Sequence, residues 1–579
     1  MQRCFLYFYI LILSFVGSDI KNLQIINYYN TCVLIVFLSI VFMTLNAVQF
    51  YNRKTDCIFI GRPELFLFIF LFWSAATFFF SVIPEVTIFP AIKCLGAIAF
   101  GLGLILYLEK KEQLIQLWLV SYIFSGIHSS LLVIQGFFPL FLPENIRIES
   151  SPVLQFFTNA NYFSCYLLLH IPIGVYLYFR TPKSYSKFLI GLGWITTLVA
   201  LGLSDSQAAL MIACIQILVS VAYFLSQKKP KRATSVTLGA IAAYLIYFYL
   251  MNLTTDTNDL SLSTIINAPG AKIITSPFNE SNWVEQHIGI RLWYWLGAWK
   301  MFCEHWLLGN GLWTYNDLYP YTGLLKISGD PYNILPPHAH NLYLQTAAET
   351  GLIGILLLSF CLLLLFKNNI KILINKKRWN LDLNFFLLIS AIGFLIHNIS
   401  ESNWLNSLFV YYFVLITLSI GYLYRKNSFE PFSFLTFRKK YFLPIYLFFV
   451  IVACFPVVSF YKYNQIIINP EISLQTQAQF EDKLNQAISL CESCWRPRYL
   501  FGLAKINRYQ KTKRIELLNE AQKHLSEALA RNPYSPKITM LQGNIYILQN
   551  KNKEAIHSFE MAKKHPWYRS QALKKIKSL

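Results

Sequence analysis

Residues Pro336–Gly354 read PPHAHNLYLQTAAETGLIG, and the chain then stays apolar to residue 366. A polar stretch with two prolines and two histidines thus runs straight into a hydrophobic helix. That junction decides the fold class. The run 351–366 is one of a series of apolar runs, most of roughly 20 residues, that recur through the first four-fifths of the chain, long enough to cross a bilayer core of about 30 Å.

Composition agrees. The 579 residues are 55% hydrophobic and 17% aromatic but only 14% charged, against roughly 25% charge in soluble domains. The formal net charge of +21 would point to nucleic acid in a soluble protein. Here Lys and Arg crowd the short loops between apolar runs, which is the positive-inside pattern, so no nucleic-acid partner is expected. Most of the eleven cysteines are scattered through apolar runs, where they act as small hydrophobes, and they give no disulfide framework.

About thirteen spans follow from hydropathy, near 4–18, 31–50, 63–82, 87–107, 114–135, 159–179, 188–204, 207–226, 233–251, 351–366, 383–399, 405–424 and 441–461. The first is the weakest. It lacks a small-x-small cleavage site, so it reads as an uncleaved span rather than a signal peptide. With the N-terminus in the cytoplasm, the basic loops Arg53–Arg62, Arg180–Lys187, Lys228–Arg232, Lys367–Arg378 and Arg425–Lys440 all fall on the inner side. The segments Glu144–Thr158 and Asn252–Thr350, and everything after Tyr461, then face outward. The expected fold is all-α: a polytopic membrane domain over 1–461 with a long extracytoplasmic loop, followed by a helical domain over 462–579. The expected location is a bacterial inner membrane.

The long loop changes character at Gly289-Ile-Arg-Leu-Trp-Tyr-Trp-Leu, which reads as a helix. Trp293, Trp295, Trp299, Trp306 and Trp313 crowd this part. Tryptophan favours the headgroup level, so the helix should lie along the membrane surface. In the tail, Ala487, Ala521 and Ala555 are evenly spaced, as are Cys491, Leu525 and Phe559, and Cys494, Ala528 and Ala562. The step matches the roughly 34 residues of tetratricopeptide repeats, whose concave surfaces bind proteins or peptides. In that register Cys491 and Cys494 occupy helix-core positions. They read as structural residues, because cysteines one helical turn apart rarely meet disulfide geometry.

His340-Asn341, followed after nine residues by Gly351 and then Gly354, resembles the signature of the bacterial O-antigen ligase family, which includes related polymerases and protein O-oligosaccharyltransferases. Arg291 with Gly309-x-Gly311 is similar to the family's arginine and Gly-x-Gly stretch. Asn159-x-Asn161, preceded by Arg147, looks like its Asn-x-Asn segment. Leu203-Ser-Asp-Ser-Gln resembles its Ser-x-Ser-Arg turn, except that Gln207 stands where relatives usually carry arginine. The resemblance implies transfer of a glycan from a polyprenyl-diphosphate carrier to an acceptor hydroxyl, inverting, with neither metal nor cofactor.

The chemistry asks for few groups. An acceptor hydroxyl must lose a proton as it attacks, and a histidine titrates near working pH, which makes His340 the candidate base. The alternative is a loop histidine satisfied by its neighbours. Arginine grips phosphate as a fork, so Arg291 and Arg147 are the candidates for the diphosphate, with Gln207 offering a neutral hydrogen bond. Asn341 would orient the ring or an adjacent loop, Asn159 and Asn161 would support the site, and Gly351 and Gly354 would permit close helix packing. His338-x-His340 has no third ligand nearby in sequence, so no metal site is expected. Three acceptors fit: the lipid A core, another repeat unit, or a protein hydroxyl, with the ligase placed first. The reading from another class is a transporter of lipid-linked glycan, but internal span repeats and broken mid-membrane helices are not evident.

Overall fold

A computed structural model of the chain describes residues 2–16, 28–53, 57–137, 160–204, 206–254, 289–324, 335–374, 382–402, 407–427, 434–468 and 477–579. The all-α polytopic architecture is as expected. Eleven helices are long and apolar enough to cross a membrane, from Val33–Tyr51 to Val450–Ile467. Two further apolar helices, Gln2–Val16 and Leu383–His397, have 15 residues each. At 1.5 Å per residue these reach only about 22 Å, short of a bilayer core of about 30 Å. They account for the difference between eleven spans and the thirteen expected.

In chain order the elements of the membrane part are α1 (Gln2–Val16), α2 (Tyr28–Tyr51), β1 (Cys57–Gly61), α3 (Arg62–Ala76), α4 (Pro84–Tyr107), α5 (Lys111–Phe137), α6 (Ala160–Arg180), α7 (Ser184–Leu203), α8 (Gln207–Ser226) and α9 (Pro230–Thr254). The long loop carries α10 (Ile290–Glu304) and the single-turn α11 (Tyr315–Leu318). There follow α12 (Leu342–Ile374), α13 (Leu383–His397), α14 (Ser407–Asn427), β2 (Phe434–Arg438) and α15 (Lys439–Ile468). The tail forms α16 (Gln477–Leu490), α17 (Arg496–Thr512), α18 (Glu516–Arg531), α19 (Pro536–Leu548), α20 (Asn552–Lys563) and α21 (Pro566–Lys577).

The chain divides into two compact units. The first comprises Met1–Ile69, Gly96–Glu285 and Leu357–Ile445. Its helices are held by apolar packing and by buried polar pairs, because an unpaired polar group in hydrocarbon is costly. Ser121 Oγ lies 2.7 Å from both His170 Nε2 and the Tyr412 hydroxyl, and the Arg425 guanidinium pairs with Glu64. Two of the basic loops contain strands that sequence reading did not foresee. β1 and β2 pair antiparallel, with Phe59 opposite Thr436.

The second unit joins Phe70–Leu95, Gln286–Leu356 and Tyr446–Leu579. Its tail helices follow one another through short turns, and successive helices pack together. Small and large residues of these helices interlock. Leu525 lies 2.7 Å from where a Cβ on Gly502 would stand, and Phe559 fills the same place at Gly543. The evenly spaced Ala487, Ala521 and Ala555 are fully buried.

Cys491 and Cys494 correct the sequence reading. Helix α16 ends at Leu490, so the pair brackets a turn instead of lying along a helix. The turn brings their Cα atoms to 5.3 Å, and the two residues form a disulfide.

Candidate functional site

The second unit builds a corner around His338–Asn341. Asn341 begins α12. Its side-chain Oδ1 accepts from the backbone N–H groups of Tyr343 and Leu344, both at 3.0 Å. This is an N-cap, so Asn341 sets the start of the helix. His340, just before the cap, has φ 50°. A left-handed backbone at a residue with a Cβ costs about 1–3 kcal/mol and persists only where its surroundings enforce it.

Three contacts enforce it. The His340 ring stacks on Tyr294, with centroids 5.7 Å apart. Its carbonyl accepts from the Trp295 indole N–H at 3.3 Å. Its own N–H donates to His338 Nδ1 at 3.2 Å. The last contact makes His338 Nδ1 an acceptor and places the proton of the neutral ring on Nε2. His338 is buried, and its ring centroid lies 4.2 Å from that of His340.

Arg291, Tyr294 and Trp295 follow one another on α10 at the three- and four-residue spacing that shares a helix face. Arg291 therefore projects one turn from the two side chains that hold His340. Among the described residues, no ion pair holds its guanidinium. The expectation for Arg291 came from its place before Gly309 and Gly311. The structure adds that it shares a helix face with the groups supporting His340.

One glycine from each pair, Gly309 and Gly351, meets the other at a crossing. Gly309 has φ 80° and Gly351 has φ 69°, the latter a kink inside α12. A Cβ on Gly309 would overlap the Glu349 carbonyl, and one on Gly351 would overlap the Leu307 carbonyl. Backbone thus meets backbone. The Leu352 N–H donates to Trp306 O at 2.7 Å, and the Gly311 N–H to Glu349 O at 2.9 Å. Buried Asn310 ties the crossing together, its side chain donating to Met301 O at 3.0 Å and Ala348 O at 2.9 Å. Gly354 serves differently, since a Cβ there would meet the Thr350 hydroxyl of its own helix, with Trp73 at 3.4 Å.

Sequence reading missed Gln345, one turn past the cap. It accepts from the Ala339 N–H at 3.0 Å and donates to Glu349 at 3.0 Å, linking the histidine stretch to the kink. It also missed Lys93, which is buried with Nζ 4.5 Å from the Trp313 ring. Its position within an apolar span, where lysine is rare, was the available signal. In α11, Asp317 is pushed up to about 6 by burial and by nearby Glu85, while Arg496 opposes the shift.

The first unit also holds a polar cluster. Asn161 donates to Glu401 at 2.9 Å and accepts from the Ser206 hydroxyl at 2.8 Å. The Ser402 N–H donates to the other Glu401 oxygen at 3.1 Å. Ser206 immediately precedes Gln207, which opens α8. Asn161 and the Ser206 start of the Gln207 helix are therefore brought together, with Glu401 as the third member. Arg147 and Asn159 lie outside the described residues.

Residues 192–359 match the family model described as O-Antigen ligase. That segment takes in Gln207, Arg291, His338, His340, Asn341, Gly351 and Gly354, whereas Asn161 and Glu401 fall outside it. No curated protein matches the chain.

Proposed function

We propose, from the premise that this multi-pass membrane protein carries an O-antigen ligase family domain, that it transfers a glycan from a polyprenyl-diphosphate carrier to a hydroxyl of the lipid A core at the extracytoplasmic face. O-antigen-ligase-type glycan transfer is the general activity of such a domain. The donor, the acceptor and the residue roles are our reading.

His340 is the base. The acceptor hydroxyl passes its proton to the imidazole as its oxygen bonds to the anomeric carbon. The bond from that carbon to the diphosphate breaks on the opposite face, which inverts the centre, and the diphosphate leaves with the electron pair. Arg291 holds the departing charge, a task for which the guanidinium fork is suited. The observation that carries the reading is the enforced left-handed His340, stacked on Tyr294 and one helical turn from Arg291 on α10.

The test is His340→Ala at normal membrane level in a strain lacking its own copy, with lipopolysaccharide, lipid-linked glycans and glycoproteins profiled together. Loss of capped lipopolysaccharide with long lipid-linked chains accumulating supports the ligase. Accumulation of single lipid-linked units would make the enzyme a polymerase, and selective loss of glycoproteins a protein transferase. An unchanged profile would remove His340 as the base and reopen the transporter reading.

A further inference from the structure

The second unit contains a groove of about 870 Å³ that plays no part in the His340 corner. Its walls come from α3, α4 and α15, and one end is closed by the disulfide turn and the end of α18. The volume falls within the range of about 300–1,000 Å³ typical of small-molecule sites. Large apolar side chains lie open along it: Phe79 is 79% exposed and Phe455 73%. Phe455 lies on α15, and Phe79 in the turn Thr77–Phe80 that continues α3 within one apolar span; on such a span a face left open by protein meets hydrocarbon, not water.

The closed end differs chemically from the walls. It presents Glu492, Ser493 and Arg531 beside Leu490 and Ala530. The Arg531 guanidinium is fixed there, since Nε donates to Glu492 O at 2.7 Å and Nη1 to Glu527 O at 2.9 Å. These bonds leave the N–H groups of Nη2 for a ligand. The end thus carries one positive and one negative side chain, above a trough that accepts hydrocarbon.

The geometry points to a bound phospholipid with a primary ammonium headgroup, of the phosphatidylethanolamine kind. Its chains lie along Phe79 and Phe455, its phosphate meets Arg531, and its ammonium meets Glu492. An ordinary boundary lipid is not held at its headgroup, whereas the tail lends this groove one cationic and one anionic side chain. The polyprenyl donor is a poorer fit. A diphosphate would face Glu492 as well as Arg531, and no residue of the 338–341 stretch lines the groove. The lipid would couple the tail to the membrane helices of its own unit.

The test uses the full chain, purified and stripped of lipid in mild detergent, with native mass spectrometry to count bound lipid. Phosphatidylethanolamine, phosphatidylcholine with the same chains, and undecaprenyl phosphate are added in turn. One phosphatidylethanolamine should bind at least tenfold more tightly than phosphatidylcholine, whose quaternary ammonium cannot donate to Glu492. Arg531→Gln should weaken it about tenfold, and Ala91→Trp, which fills the trough, should abolish it. Should Ala91→Trp fail to fold, Ala530→Phe blocks the groove from the tail side. Equal binding of the two phospholipids, retention in the filled variants, or preference for undecaprenyl phosphate would each overturn the assignment.

Discussion

The His338–Asn341 corner and the Asn161–Ser206–Glu401 cluster are both knots of polar side chains beside apolar helices, yet they are built in opposite ways. The corner holds a strained backbone. His340 sits at φ 50°, kept there by Tyr294, Trp295 and His338. The cluster shows no such strain. Asn161 bridges Ser206 and Glu401 through ordinary hydrogen bonds of 2.8 and 2.9 Å. Strain maintained by neighbours marks a place where geometry matters for chemistry. A bridge of satisfied groups marks a place where three segments must meet. Under the proposed function, the chemistry is read at the first, and the second is read as holding the Ser206–Gln207 start of α8.

Substitution can break that assignment most directly. His340→Ala should lower transfer about 10²–10⁴-fold, the usual contribution of a positioned base, with protein level unchanged. Glu401→Gln should cost less than tenfold in transfer and act mainly on thermal stability. Both are read in vesicles with a lipid-linked donor, normalised to protein. If Glu401→Gln equals His340→Ala in transfer at full stability, the cluster belongs to the chemistry and the comparison fails.

Gly351→Ala sharpens it from the side of the scaffold. The position needs φ 69° and lies against the Leu307 carbonyl. A methyl group would push backbone from backbone, so a loss of about 3 kcal/mol or more is expected, seen as poor recovery from the membrane. Gly354→Ala meets only the Thr350 side chain and Trp73, and should be much milder. Equal effects would mean that the crossing is not what these glycines serve.

The next effect is on pH dependence. Asp317 is held protonated by burial up to about 6, against 3.8 in the open chain. Its folded pKa is raised, so its contribution is complete below about pH 4 and disappears as pH climbs through 6. Two units correspond to roughly 3 kcal/mol. Arg496 and Glu85, the charged groups facing it, oppose and reinforce the shift respectively. The wild-type melting temperature should therefore fall between pH 4 and 7. Asp317→Asn should flatten that slope, and a slope retained in the variant would assign it to another group.

How far each region was legible follows from how far apart its parts lie. The His-Asn…Gly…Gly stretch is local, so residue types and spacing in one window exposed it. The crossing of Gly309 with Gly351 and the stacking of Tyr294 on His340 were not legible, because each joins segments some 40 residues apart across a loop. The cluster was harder still: Asn161 and Glu401 are 240 residues apart, and no local pattern links them. The paired strands β1 and β2 failed for the same reason, as the short apolar segments CIFIG and FLTFR lie in different loops and no local pattern links them. The cysteine pair failed differently. The 34-residue register extended a helix through Cys491, whereas α16 ends one residue earlier.

That error supplies the smallest test. The disulfide-closed turn leads directly into the N–H groups of Trp495 and Arg496, which donate to Glu85 at 2.8 and 3.1 Å. Glu85 also accepts from the Tyr463 hydroxyl at 2.9 Å and opens α4. Just before it, the Val82 N–H donates to Asn310 O at 3.0 Å, and Asn310 ties down the glycine crossing behind His340. Hydrogen bonds therefore run from the tail turn to the corner, all within one unit. Closing so short a loop contributes about 2 kcal/mol in the chain-entropy account. The double variant Cys491→Ser, Cys494→Ser should lose about that much stability and a few-fold in transfer, with His340 intact. A stability loss without any change in transfer would make the tail a separate module. Unchanged stability would mean that Glu85 alone holds the turn, and that the disulfide adds little to a path whose other end carries the proposed base.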